Sequence, residues 1–216
     1  MNTQAKPNKP RSGGTKFNGL TVVLAVAGLL VVGVLAARQF WDVNAGNAAE
    51  TAERSGGALI GGPFTLIDQD GHTVTDQNFR GKWLLVYFGY TYCPDVCPTS
   101  LARNADVIDL LGKEGEAVVP ILITVDPERD TPEKLKDYIA FFHPRMVGLT
   151  GTPEQIKAVT RAYRVYYAKA EQKDSPTYLM DHSSFTYLVD PDGKFVQFFR
   201  HETSAQEMAE QIKGLL

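Results

Sequence analysis

Residues 83–98, Trp-Leu-Leu-Val-Tyr-Phe-Gly-Tyr-Thr-Tyr-Cys-Pro-Asp-Val-Cys-Pro, are the stretch on which the fold turns. Residues 83–88 form an almost wholly apolar run, as a central strand needs when both of its faces are covered. A loop carrying Cys93 and Cys97 follows. A helix is predicted over about 98–111, with Pro98 in the first turn, where its missing donor is not needed. An apolar strand that passes through a two-cysteine loop into a helix start is the thioredoxin-like arrangement. Ligand and active sites in such sheets lie beyond the carboxyl ends of the strands, so the chemistry is expected between Gly89 and Cys97.

The flanking sequence fits the same α/β plan. Residues 64–67 and 72–74 flank Asp68-Gln69-Asp70-Gly71 and predict a hairpin. A strand is expected over 117–125. Thr131 then caps a helix opened by Pro132, with Leu135, Tyr138, Ile139 and Phe142 on one stripe. A short strand at 147–149 precedes a capping box, Thr152 with Gln155, for a helix presenting Ile156, Val159 and Tyr163. Residues 185–189 and 195–199 form a closing hairpin around Asp190-Pro191-Asp192-Gly193, and a last helix covers about 204–215. The sum is a thioredoxin-like three-layer α/β domain over residues 59–216, with no internal repeat.

The N-terminal part has a different character. Residues 20–37 are an uncharged apolar run near the minimum length for a bilayer-spanning helix. Lys6, Lys9, Arg11 and Lys16 precede it, and the positive-inside tendency keeps such a tail in the cytoplasm. The run is longer than a usual signal-peptide core, so an uncleaved transmembrane helix is expected, with residues 1–19 as a cytoplasmic basic tail. Residues 38–58 are small and polar, a linker to an exported domain. A tail of 19 residues suits a single-pass protein of the bacterial inner membrane, with its soluble domain in the periplasm.

Charge divides along the same boundary. The chain carries −3 overall, residues 1–38 carry +5 with no acid, and residues 39–216 therefore carry −8. An acidic exported part argues against nucleic acid as a partner, because phosphate binding needs a basic footprint.

The two cysteines are four residues apart, which is too few and too local for a disulfide framework. That spacing is about one helical turn, so at a helix start both sulfurs can face the same side. The helix N-terminus favours thiolate. Two thiolates make a soft site suited to Cu(I), zinc or an iron–sulfur cluster. Two cysteines cannot supply an ordinary cluster, which leaves copper or zinc. Four histidines compete as a third ligand. His72 reads as solvated, His143 as a structural residue at a helix end, and His201 as a surface residue. His182, in Met180-Asp181-His182-Ser183-Ser184 just before a predicted strand, is placed in a loop against the cysteine loop. Ligand and hydrogen-bonded core histidine are equally open for it.

Three separated motifs, Gly89-Tyr90-Thr91-Tyr92-Cys93-Pro94-Asp95-Val96-Cys97-Pro98, Val125-Asp126-Pro127-Glu128-Arg129-Asp130-Thr131-Pro132 and Asp181-His182-Ser183, together resemble the Sco/SenC family of copper proteins. The resemblance covers residues 60–215, in the family's order, behind the N-terminal anchor that the family usually has. It implies that Cys93, Cys97 and His182 bind one Cu(I) or Cu(II) ion. It further implies a metallochaperone, charged by an upstream periplasmic copper donor, that helps metallate the dinuclear copper site of cytochrome c oxidase subunit II.

A tethered thiol–disulfide oxidoreductase using Cys93 and Cys97 is the rival reading. Thioredoxin-like reductases usually carry a cis-proline opposite the dithiol, where this chain has Asp181-His182-Ser183. Met180 is expected to be core rather than a thioether ligand. Asp130-Thr131 is explained by capping, and Asp126 is expected near the site.

Overall fold

The computed structural model describes residues 60–170 and 177–216. The expected anchor at 20–37 and the linker at 38–58 lie outside the described residues. Among those described, no helix is long and apolar enough to cross a membrane.

The architecture follows from β3 (Trp83–Gly89), whose residues from Leu84 onward are all buried. It pairs in parallel with β4 (Val118–Thr124) on one side and antiparallel with β8 (Thr186–Val189) on the other. The β4 strand pairs in parallel with β5 (Val147–Thr150), which meets β1 (Thr65–Asp68) antiparallel. Two edge strands complete a seven-stranded sheet ordered β2-β1-β5-β4-β3-β8-β9, namely β2 (Thr73–Thr75) and β9 (Phe195–Phe199).

Four helices cover the sheet: α1 (Val96–Leu111), α2 (Pro132–Ile139), α3 (Pro153–Ala162) and α4 (Ala205–Lys213). The alternation of a strand splits the core into two layers. Leu85 packs with Val107, Ile108 and Leu111 of α1 and Met208 and Ile212 of α4. Leu84, Val86 and Phe88 belong to a larger layer with Leu135 and Ile139 of α2 and Ile156 and Val159 of α3. This is the expected thioredoxin-like α/β domain with helices on both faces.

Local signals fix the helix starts. Thr131 accepts from Lys134 N ahead of Pro132, and Thr152 and Gln155 form the expected capping box. Three features depart from the sequence reading. Residues Asp76–Phe79 form a short 3-10 turn. The first helix begins at Val96 rather than Pro98, which puts Cys97 inside it. A separate two-stranded ribbon, β6 (Tyr167–Ala170) with β7 (Leu179–His182), lies outside the main sheet. His182 is therefore the last residue of a strand, paired with Tyr167, and not a loop residue.

Candidate metal centre

The site lies at the carboxyl end of β3. Val125 N donates to Gly89 O at 2.8 Å, holding the ends of β3 and β4 together, and Cys93 N donates to Tyr90 O at 3.3 Å in the turn beyond. Gly89 is required there. A Cβ on it would stand 2.8 Å from Tyr87 Cε1, closer than real Cβ contacts come, and 3.0 Å from Cys97 Sγ, tighter than most.

The start of α1 explains why the cysteines sit as they do. The Asp95 side chain makes no cap hydrogen bond. In its place Cys93 Sγ accepts from Cys97 N at 3.3 Å. The sulfur thus serves one of the helix's unpaired donors, and Pro98 removes another.

Cys93 Sγ, Cys97 Sγ and a ring nitrogen of His182 all lie within 4.8 Å of one another. His182 Nε2 is 3.3 Å from Cys97 Sγ. Its Nδ1 is 3.1 Å from Ser183 O. A carbonyl only accepts, so Nδ1 carries a proton and the lone pair of the neutral ring is on Nε2, facing the sulfurs. The imidazole stands edge-on to Tyr87 and Tyr90, with centroids at 6.0 and 5.8 Å. Tyr90 in turn accepts from Met180 N at 3.1 Å, tying β7 to the cysteine loop. Cys93, 9% exposed, lines a cleft of about 280 Å³ together with His182, whereas Cys97 is fully buried and outside its lining. Both cysteines are free, with no disulfide between them.

The two sulfurs are electrostatically unequal. Hydrogen bonding with the Cys97 side chain, and then with backbone N–H groups at the helix start, pulls the Cys93 thiol down to about 4 against opposing burial. Burial, then the neighbouring Cys93, pushes Cys97 well above its ordinary value. Cys93 is the standing thiolate and Cys97 the standing thiol. Iodoacetamide should therefore alkylate Cys93 of the metal-free chain at nearly the same rate at pH 6 and pH 8. An ordinary thiol would slow about tenfold per unit below its pKa of about 8.5. Peptide mass spectrometry reads the site and the rate, and a steep loss of Cys93 labelling at pH 6 would contradict the assignment.

The other expectations resolve residue by residue. Met180 is buried in the core and contributes its backbone N–H, as expected of a core methionine. His72 is exposed beside Asp68. His143 accepts from Arg145 N and is held below its ordinary pKa by burial, then by Arg145, in keeping with a structural role. His201 differs from its surface reading. It is half-buried, with Nδ1 3.1 Å from the Oγ of buried Ser100 in α1.

Asp126 accepts from Arg129 Nε and, at 2.8 Å, from the hydroxyl of Tyr178 beside β7. The Arg129 guanidinium lies 3.7 Å from the Tyr178 ring centroid and 4.6 Å from that of Tyr92 in the cysteine loop. Its Nη1 donates to Tyr178 O at 3.0 Å. Arg129 is thus a strut between the cysteine loop and the ribbon. Sequence reasoning gave no role to Arg129, Tyr178 and Tyr90, although Arg129 and Tyr90 both stood inside motifs it had singled out.

Asp130 is more than a neighbour of the cap. Fully buried, it accepts from Thr91 N (3.0 Å), Thr91 Oγ1 (2.6 Å) and Thr124 Oγ1 (2.6 Å), fastening the cysteine loop to the end of β4. Among the described residues there is no cis peptide bond.

Comparison with known proteins matches residues 52–216 to the SCO1/SenC family. "Protein SCO1 homolog 1, mitochondrial" of Arabidopsis thaliana is 49% identical over 164 residues, covering 75% of this chain and about half (49%) of that protein. The copper-bound structure of Bradyrhizobium japonicum ScoI superposes with a TM-score of 0.68 at 48% identity, covering 73% of this chain and 99% of that one. BsSco, described as a member of the Sco family of cytochrome c oxidase assembly proteins and as having a disulfide switch, superposes with a TM-score of 0.57 at 28% identity, covering 72% and 92%. With a family match over most of its length behind the three converging side chains, the chain belongs to the SCO1/SenC family.

Proposed function

We propose that this chain is a membrane-anchored copper metallochaperone that carries one ion on Cys93, Cys97 and His182. The observation that carries the reading is the convergence of two sulfurs and one lone-pair nitrogen within 4.8 Å, with the imidazole already in the tautomer that offers Nε2. Two thiolates and an imidazole are a soft donor set that suits Cu(I). The copper-bound relative supports copper over zinc.

Loading uses the inequality of the sulfurs. The Cys93 thiolate lining the cleft takes the ion first, and the buried Cys97 then binds and releases its proton to solvent. Unloading runs in reverse. An acceptor's thiolates replace the ligands lining the cleft stepwise, while the buried Cys97 lets go last. The acceptor is the dinuclear copper site of cytochrome c oxidase subunit II, and a periplasmic protein supplies the copper. The anchor at 20–37 holds the domain on the periplasmic side of a bacterial inner membrane.

A second reading rests on the same inequality, since a low-pKa thiolate lining the cleft and backed by a buried thiol also suits a disulfide reductase. Cys93 would attack an acceptor disulfide and expel one acceptor thiolate. Cys97, on losing its proton, would then attack the Cys93 sulfur, expelling the second thiolate and leaving a Cys93–Cys97 disulfide.

Copper titration followed by optical spectroscopy separates the two readings. A Cu(II)–thiolate charge-transfer band at one ion per chain, lost in both Cys93→Ser and His182→Ala, is expected. Undiminished copper binding in His182→Ala would overturn the three-ligand site. Catalytic disulfide reduction with only weak copper binding would transfer the assignment to the reductase.

A further inference from the structure

Among the described residues, four buried side-chain polar atoms have no hydrogen-bond partner in the protein, and one is the hydroxyl of Tyr87. Such a group ordinarily costs about 1–3 kcal/mol, so its retention needs a reason. Tyr87 is fully buried, and its position gives one. Gly89 stands two residues along β3, on the same face of the sheet. Tyr87 Cε1 and Cys97 Sγ both press within 3.0 Å of where its Cβ would stand. The bare glycine leaves the ring and the sulfur room to approach one another, and Cys97 and Ser100 are the side chains that reach toward its hydroxyl, neither at full hydrogen-bond geometry. On its other flank the ring meets His182 edge-on.

In the metal-free chain the Cys97 sulfur lies 3.3 Å from His182 Nε2, and a neutral thiol is only a weak acceptor for a phenol. Copper changes that, because a coordinating thiol is deprotonated and becomes an anionic acceptor.

We infer that Tyr87 is a positioning residue for copper, its hydroxyl donating an O–H···S hydrogen bond to the Cys97 thiolate in the loaded protein. This inference rests on the three-ligand reading above. The O–H bond stays intact throughout, and the proton released on loading is that of the Cys97 thiol, which leaves to solvent. The hydrogen bond withdraws electron density from the sulfur. It thereby lowers thiolate donation to Cu(II), raises the Cu(II)/Cu(I) potential and favours the reduced ion.

Tyr87→Phe in the full-length chain tests this, because phenylalanine keeps the ring and removes only the unpartnered hydroxyl. The variant should still bind one copper, with its thiolate-to-Cu(II) band moved to lower energy. Its preference for Cu(I) over Cu(II) should fall by about tenfold, the size of one hydrogen bond to a charged group. The metal-free variant should unfold at the same or a higher temperature than the parent. An unchanged band and potential in a folded variant would overturn the inference. So would a lowered melting temperature of the metal-free variant with an unaltered spectrum, since that is the signature of packing alone. Absence of a thiolate band in the parent protein would instead overturn the three-ligand site itself, a result distinguishable from the other two.

Discussion

Cys97→Ser is expected to lower the affinity for Cu(I) by on the order of 100-fold or more, judged from the 10–100-fold losses caused by residues that merely support a ligand. Cys97 is fully buried and lies 3.3 Å from His182 Nε2. Serine fills nearly the same space, and its hydroxyl can keep the contact with the imidazole, so the fold should survive. The hydroxyl is a hard oxygen, however, and a poor partner for Cu(I). Competition against a chromophoric Cu(I) chelator measures the loss. An affinity within tenfold of the parent would show that Cys97 is not a ligand.

Asp130→Ala should destabilise the metal-free fold by roughly 3 kcal/mol, as three buried or half-buried donors each lose a partner worth about 1 kcal/mol. These are the N–H and hydroxyl of Thr91 and the hydroxyl of Thr124. In urea the midpoint should fall by roughly 1–2 M with little change in slope. The pH dependence has a definite sign. Burial, opposed by the threonine hydrogen bonds, raises the Asp130 pKa above its ordinary 3.8. The folded state therefore holds the proton more tightly than the unfolded one, and Asp130's contribution declines as pH rises through the raised pKa. The gap between parent and variant should be widest in acid and narrower at neutral pH. A gap that widens toward neutral pH would show that the carboxylate is stabilised as an anion.

What could be read from the sequence depended on whether a residue's role leaves a period or a spacing. The β3 run was legible because it is apolar on both faces, and α2 and α3 because Thr131 and Thr152 announce their starts. The paired cysteines were legible from their spacing, while His182 needed the resemblance. The β6–β7 ribbon was not legible. Tyr-Ala-Lys-Ala and Leu-Met-Asp-His alternate neither with period 2 nor with period 3.6, and only Met180 among these eight residues is buried. Contacts far apart in sequence tie the ribbon down instead, such as Tyr178 with Asp126 and Lys169 with Glu128 at 2.7 Å. Asp130 was hidden for the opposite reason, because its place beside Thr131 offered a sufficient local explanation and a buried acid carries no pattern of its own. The first turn of α1 was placed late because the usual capping side chain is replaced there by a sulfur.

The ribbon gives the site a mechanical property. Cys97 and His182 are 85 residues apart, the first in the opening turn of α1 and the second in the ribbon. An ion held on both, as proposed above, would be a removable cross-link between the ribbon and the start of α1. Linkage then makes ion retention and ribbon docking two expressions of one free energy. Whatever pulls the ribbon from its strut of Tyr90, Arg129 and Tyr178 weakens the hold on the ion by the same amount that the ion strengthens the docking. Under the proposed function, an acceptor that grips the ribbon would loosen the ion without first touching a sulfur.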